Sequence, residues 1–222
     1  MAWIVCIETA SKSCSVALAK YGHLVAVIEE VSEQYSHSEQ LTVFIEQLLQ
    51  QEGLKLSDLD AIAVGSGPGS YTGLRIGIST AKGLCYASDV PLIAVSTLDT
   101  MAQAMKDKYP EAKLCPMLDA RRMEVYCALY SKSQASPVVA KIIDQDSFAE
   151  ELAQGPLLFF GDGADKCKYV LTHTNAHFEL GVYPSATNMI PLAQEKFQNQ
   201  VFEDVAYFEP FYLKDYLTGV KK

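Results

Sequence analysis

Five glycines fall within one short stretch, Val64-Gly65-Ser66-Gly67-Pro68-Gly69-Ser70-Tyr71-Thr72-Gly73-Leu74-Arg75-Ile76-Gly77. An apolar run, Ala61 to Val64, enters it as a buried strand, and a helix is expected to leave it from about Thr72 to Ala87. Glycines let the backbone approach something closely, and a helix start offers N–H donors that have no acceptor within the helix. Strand, glycine loop and helix in that order suggest a phosphate cradle. They also commit this part of the chain to a β-loop-α unit.

The surrounding sequence extends the alternation. Ala2 to Glu8 and Cys14 to Ala19 read as two strands of a hairpin joined by Thr9-Ala10-Ser11-Lys12-Ser13, and Leu24 to Val31 reads as a third strand. Ser36 with Glu39 forms a capping box for a helix in which Leu41, Phe44, Ile45, Leu48 and Leu49 recur at helical spacing, and Gly53 can end it in the left-handed conformation. After the glycine loop come a strand from Pro91 to Val95 and a helix from Thr97 to about Lys108. Strands alternating with helices imply a parallel sheet portion with crossover helices, an α/β fold.

From residue 113 the same order of elements returns. Lys113 to Leu118, the turn Asp119-Ala120-Arg121-Arg122 and Met123 to Tyr130 repeat the first hairpin, with Asp119 in the place of Glu8. Val138 to Ile143, a helix from Ser147 to Ala153, a strand from Pro156 to Phe160, Gly161-Asp162-Gly163 and a helix from Ala164 to Leu171 complete the copy. Ser185 caps a last helix reaching about Gln198. Two related lobes follow, residues 1–109 and 110–222.

The chemistry of the glycine loop is less specific than its composition. It lacks the lysine of a P-loop, Ser70 replaces the last glycine of the dinucleotide pattern, and no G-x-S-x-G elbow exists. Glu8 and Asp119 can be read as carboxylates flanking a cleft or as caps of their own turns. Arg121 and Arg122 can pair with a carboxylate or phosphate, or simply mark an exposed hairpin tip. His173 and His177 have the i, i+4 spacing of helical metal ligands, but Thr174 stands where the zincin motif needs its glutamate, so they read as exposed histidines near a helix end or loop. The six cysteines form no Cys-x-x-Cys pair and mostly lie in apolar runs, which predicts reduced core thiols.

On helix 72–87, Gly73, Gly77 and Ala81 fall four apart on one face beside Leu74, Ile78 and Cys85. Each glycine costs a helix about 1 kcal/mol relative to alanine, so the face predicts close approach by another helix. The 18 basic and 27 acidic residues leave a net charge of −9, which disfavours autonomous RNA or DNA binding. No apolar run is long enough to span a bilayer and no signal peptide is evident, so a cytoplasmic protein is expected.

Ile7-Glu8-Thr9-Ala10, Cys14-Ser15-Val16-Ala17-Leu18, His37-Ser38-Glu39, the block from Gly65 to Gly77, Ala81-Lys82-Gly83-Leu84, Asp119-Ala120-Arg121 and Pro210-Phe211-Tyr212-Leu213-Lys214 together resemble the TsaB (YeaZ) family. The resemblance spans nearly the whole chain. It implies an ASKHA fold of two actin-like lobes. It also implies a non-catalytic subunit of the bacterial machinery that installs threonylcarbamoyl on the adenosine beside the anticodon of tRNAs reading ANN codons.

The implied partners are the catalytic paralogue TsaD and the ATPase subunit TsaE, with a homodimer when TsaD is absent, tRNA held only indirectly, and neither DNA nor membrane. The implied interface comprises His37, Leu41, Phe44, Ile45 and Leu48 of the first helix with Tyr71, Gly73, Leu74, Gly77, Ile78, Ala81 and Leu84 of the second. Where TsaD carries its two metal-binding histidines this chain has Thr97 and Met101, so neither metal nor cofactor is expected. Glu8, Thr9, Ser11, Gly65, Gly67 and Gly69 would form a degenerate nucleotide loop, in which the longer arm of Glu8 intrudes on a phosphate position. The alternative is a stand-alone metallopeptidase-like hydrolase, or an ATPase or sugar kinase of the same fold.

Overall fold

The computed structural model describes residues 2–32, 37–106, 108–132 and 134–214. β1 (Trp3–Glu8), β2 (Ser13–Lys20) and β3 (His23–Val31) form an antiparallel meander, followed by α1 (His37–Gln51), β4 (Ala61–Gly65), α2 (Tyr71–Ser88), β5 (Leu92–Val95) and α3 (Thr97–Lys106). β4 and β5 add in parallel to β1, so the first sheet runs β3-β2-β1-β4-β5. The central strands β1 and β4 are covered on both faces, which is why they read as continuous apolar runs rather than alternating ones.

The second lobe repeats the plan with β6 (Lys113–Asp119), β7 (Glu124–Cys127), β8 (Val139–Ile142), α4 (Ala149–Gln154), β9 (Leu157–Phe160), α5 (Ala164–Cys167) and β10 (Ala176–Glu179). Its sheet runs β8-β7-β6-β9-β10, the order of the first sheet with each strand replaced by its counterpart. A smaller sign of the duplication lies in the hairpin turns. The Ala10 N–H donates to Glu8 Oε1 at 2.8 Å, and the Arg121 N–H donates to Asp119 Oδ1 at 3.0 Å, the same two-residue step at equivalent positions.

Several expectations are corrected. Ala176–Glu179, expected as a helix end or loop, is a strand, because a parallel register on β9 overrides weak local propensity. α5 ends at Cys167 rather than Leu171, where Val170 and Leu171 N–H groups turn back onto the Cys167 carbonyl. The strand expected at Met123 to Tyr130 is regular only over Glu124–Cys127, and Tyr130 instead bridges Leu114 and Ala135. The Ser36 capping box lies outside the described residues, whereas Gly53 has the left-handed φ of +67° that ends α1.

The largest correction concerns the last helix, α6 (Ala186–Gln198). The two sheets divide between residues 95 and 113, yet α6 packs on the first sheet rather than the second. Ala186, Met189, Ile190 and Ala193 close one buried cluster with Ile4, Cys6, Ala17, Ala63 and Ile93. α1 and α2 cover the opposite face of that sheet. Ser185 caps α6 by accepting the Thr187 N–H and donates to Glu29, and Ser15 of β2 accepts the Ala186 N–H. The segment that follows α6 runs along the first lobe, where the Glu203 N–H donates to the Leu92 carbonyl and Lys82 of α2 donates to the carbonyls of Ala206 and Phe208, before Lys214 pairs with Glu124 of the second lobe.

Candidate functional site: the glycine loop and the cleft between the lobes

The glycine loop connects β4 to α2 at the bottom of a cleft of about 890 Å³ lined by both lobes. Ser70 is the N-cap of α2, its hydroxyl accepting the Gly73 N–H. Its own N–H donates to the Ala10 carbonyl at 2.6 Å, which ties the loop to the β1–β2 turn.

Each glycine of the loop is filled by the chain itself. A Cβ on Gly65 would lie 2.5 Å from Glu8 Oε2, one on Gly67 would lie 2.9 Å from the Phe211 carbonyl oxygen, and one on Gly69 would lie 2.3 Å from the Ala10 carbonyl oxygen. The Glu8 carboxyl, fully buried, thus lies where the bare backbone of Gly65 leaves room. Burial pushes it up to about 7, against the lowering effect of the Ala10 and Thr9 N–H groups. Ser11 is buried as well, and the Nε2–H of His37, at the start of α1, donates to its carbonyl at 2.8 Å. The glycines of the loop thus serve a close junction between β1, β2, β4 and α2.

The small-residue face of α2 has the same explanation. A Cβ on Gly73 would lie 2.0 Å from the Thr9 carbonyl oxygen, and one on Gly77 would lie 2.3 Å from Thr9 Oγ1, which donates to the Gly73 carbonyl at 2.8 Å. What approaches these glycines is the chain's own hairpin turn, not a second helix. His37, Leu41, Ile45 and Leu48 of α1 and Gly73, Leu74, Gly77, Ile78 and Ala81 of α2 are all buried within the chain. Of the residues expected at an interface, Phe44, Tyr71 and Leu84 remain half-exposed. Val43, Gly83 and Tyr86 are exposed on the outward side of the two helices, because helical periodicity turns the buried stripe away from them.

α3 lies between the lobes. Thr97 is fully buried and Met101 is 1% exposed. The Met101 methyl sits where a Cβ on Gly161 of the second lobe would come within 2.5 Å, and Leu98 and Met101 share a core with Leu114, Leu118 and Phe160. Tyr130 donates to Asp99 Oδ1 at 2.6 Å, adding a polar tie between α3 and the second lobe.

His173 and His177 are exposed, and β10 places His177 on an edge strand, so the helical geometry that would bring two imidazoles to one metal is not formed. Among the described residues no cluster of three histidines, cysteines or carboxylates is arranged to hold a metal. All six cysteines are free and buried, and burial pushes Cys6 and Cys85 up to about 12. Asp119 accepts from Lys166 and caps its own turn, and Asp162 accepts the Asp119 N–H.

Two sheets of one topology with helices on both faces of the first, joined by α3 across a cleft, define the class of ASKHA, actin-like proteins. A likeness in fold alone is seen to the ethanolamine utilization protein EutJ from Carboxydothermus hydrogenoformans, with a TM-score of 0.53, 9% identity, and coverage of 87% of this chain and 90% of that one. A family model described as "TsaD: tRNA N6-adenosine threonylcarbamoyltransferase" matches residues 27–221. The chain is 31% identical over 226 residues to the tRNA threonylcarbamoyladenosine biosynthesis protein TsaB of Escherichia coli K12, covering 98% of this chain and 97% of that one. The solved structure of YeaZ from Pseudomonas aeruginosa matches with a TM-score of 0.80 and 27% identity, covering 96% of this chain and all of that one. The chain belongs to the TsaB (YeaZ) family, within the wider group that the TsaD model describes.

Proposed function

We propose that this chain is a non-catalytic subunit in the formation of N6-threonylcarbamoyladenosine in tRNA, acting by docking on a TsaD homologue and, with it, on a TsaE homologue. The observation that carries this reading is the burial of Thr97 and Met101. A hydroxyl and a thioether sealed into the core between the lobes cannot take the part of two imidazoles at a hard or borderline metal. The glycine positions add to it, because Gly65, Gly67 and Gly69 are used for close contacts with Glu8, Phe211 and Ala10 of the chain itself. What the chain then contributes is a surface.

That surface is the outward side of α1 and α2, where Val43 and Tyr86 are exposed and Phe44, Ile76 and Leu84 are half-buried against the core. Gly83 lies on it with nothing within 4 Å of a Cβ, so a backbone or side chain of the partner has room to come close. The same patch offered to a second copy gives the homodimer expected when the paralogue is absent.

Reconstituted tRNA threonylcarbamoylation with and without the chain tests the role. Modification should require the chain, and undiminished modification in its absence defeats the reading. Gly83→Trp tests the surface, since it adds bulk only to open space. Complex formation with the TsaD homologue should be lost while the thermal midpoint of the isolated chain holds, and unchanged binding would move the interface elsewhere.

A further inference from the structure

The segment that follows α6 crosses from one lobe to the other at the mouth of the cleft. As far as Tyr212 it is fastened to the first lobe. The Phe211 N–H donates to the Ser66 carbonyl at 2.8 Å, and the Phe211 carbonyl oxygen lies where the bare backbone of Gly67 leaves room for it. The Tyr212 ring is 5.0 Å from that of Tyr71, and its hydroxyl accepts the Arg75 Nε–H at 3.2 Å. Arg75 also lies over the Tyr71 ring, 4.1 Å from its centroid, so the start of α2 holds Tyr212 by both its ring and its hydroxyl.

Two residues on, Lys214 pairs with Glu124, the first residue of β7 in the second lobe. Lys166 holds the Glu124 carbonyl and pairs with Asp119, which leaves the Glu124 carboxylate to Lys214. The segment is therefore fastened unequally. On the first lobe it has a backbone hydrogen bond, a packed ring and a glycine that makes room for it. On the second it has an ion pair whose side chains are 43% and 20% exposed. Such a pair is weak and reversible, because water screens the attraction and two long side chains must be held still. Elsewhere the lobes meet through α3, whose Leu98 and Met101 share a core with Leu114, Leu118 and Phe160, and Lys12 of the β1–β2 turn acts on Asp162 by charge.

We propose that residues 211–214 form a strap that holds the two lobes closed over the cleft, anchored on the first lobe at Ser66, Gly67 and Tyr71 and released at the Lys214–Glu124 pair. While the pair is made, the β6–β7 turn is held toward the glycine loop, and both line the same cleft with the strap across its mouth. When it breaks, the anchor keeps the strap on the first lobe and the second lobe moves away from it. The strap thus sets access to the cleft from a contact outside its base, and the proposal does not rest on the docking reading above.

Amide hydrogen exchange of the purified full chain, read by mass spectrometry at low salt in the turns 9–13 and 119–123, tests the strap. Lys214→Glu and Glu124→Lys should each speed exchange in both turns by about threefold or more. The two substitutions together restore an ion pair of reversed sense and should return both turns to the native rate. Tyr212→Ala loosens the anchor on the first lobe and should speed exchange at 119–123 in the other lobe. Throughout, β1 and β4 should exchange as in the native chain, which separates opening of the cleft from unfolding. The proposal is overturned if Lys214→Glu leaves both turns at the native rate, if the charge-reversed pair exchanges as fast as the single variants, or if the faster exchange extends into β1 and β4. Because the measurement contains no partner, it fails separately from the reconstitution above.

Discussion

Glu8 shows how far one residue governs this site. Its carboxyl is raised from an ordinary 4.5 to about 7 by burial, so the folded chain holds a proton there that the unfolded chain releases. Stability from this group is therefore greatest below about 4.5 and declines as pH rises to about 7, by roughly 3 kcal/mol in all. Glu8→Gln keeps the shape and cannot ionise. Unfolding in urea from pH 4 to 8 should show a flatter profile for Glu8→Gln and a variant more stable than the native chain at pH 8. An unchanged slope would mean that other groups set the pH dependence. In the sequence Glu8 was legible as a turn-capping acid equivalent to Asp119, and both do cap their turns. That one is sealed and the other paired with Lys166 was not legible, because burial depends on what the rest of the chain lays over a residue.

At the scale of elements, α2 carries two kinds of glycine that look alike in sequence. Gly73 and Gly77 press against Thr9 of the hairpin turn, whereas Gly83 faces open space. Gly73→Ala would drive a methyl into a backbone carbonyl that has nowhere to move, and Gly77→Ala would displace the Thr9 hydroxyl from its bond to Gly73. Each should destabilise the chain by about 1–3 kcal/mol, while Gly83→Ala should stabilise it by about 1 kcal/mol through helix propensity. Equal effects at all three positions in denaturant unfolding would refute the distinction. Spacing showed that the 73–77–81 face needed a close neighbour. It could not say that the neighbour was the turn at Thr9, 64 residues before Gly73, since periodicity identifies a buried face and is silent about what buries it. The strand at Ala176–Glu179 escaped notice for a related reason: four residues with little pattern become a strand because β9 offers them an edge.

For the whole molecule, the return of α6 to the first lobe matters most. Without it, Ile4, Cys6, Ala63 and Ile93 would lose the cover of Met189, Ile190 and Ala193 on one sheet face. A fragment of residues 1–109 should therefore be insoluble or molten, and joining residues 184–214 to it through a flexible linker should restore a cooperative unfolding transition. A well-folded 1–109 fragment would show that α6 is dispensable to the lobe. The sequence by itself determined the alternation of strands and helices, the duplication of the two lobes, the glycine junction and the family, because these rest on local periodicity, turn chemistry and motifs read within short windows. Only the tertiary structure decided which lobe the last helix completes, that the loop's glycines are occupied by Glu8, Ala10 and Phe211, and which side chains of α1 and α2 face outward. The physical reason is that each of these depends on contacts between segments far apart in the chain, where the pairing is selected by the apolar area and hydrogen bonds that the assembled fold can satisfy.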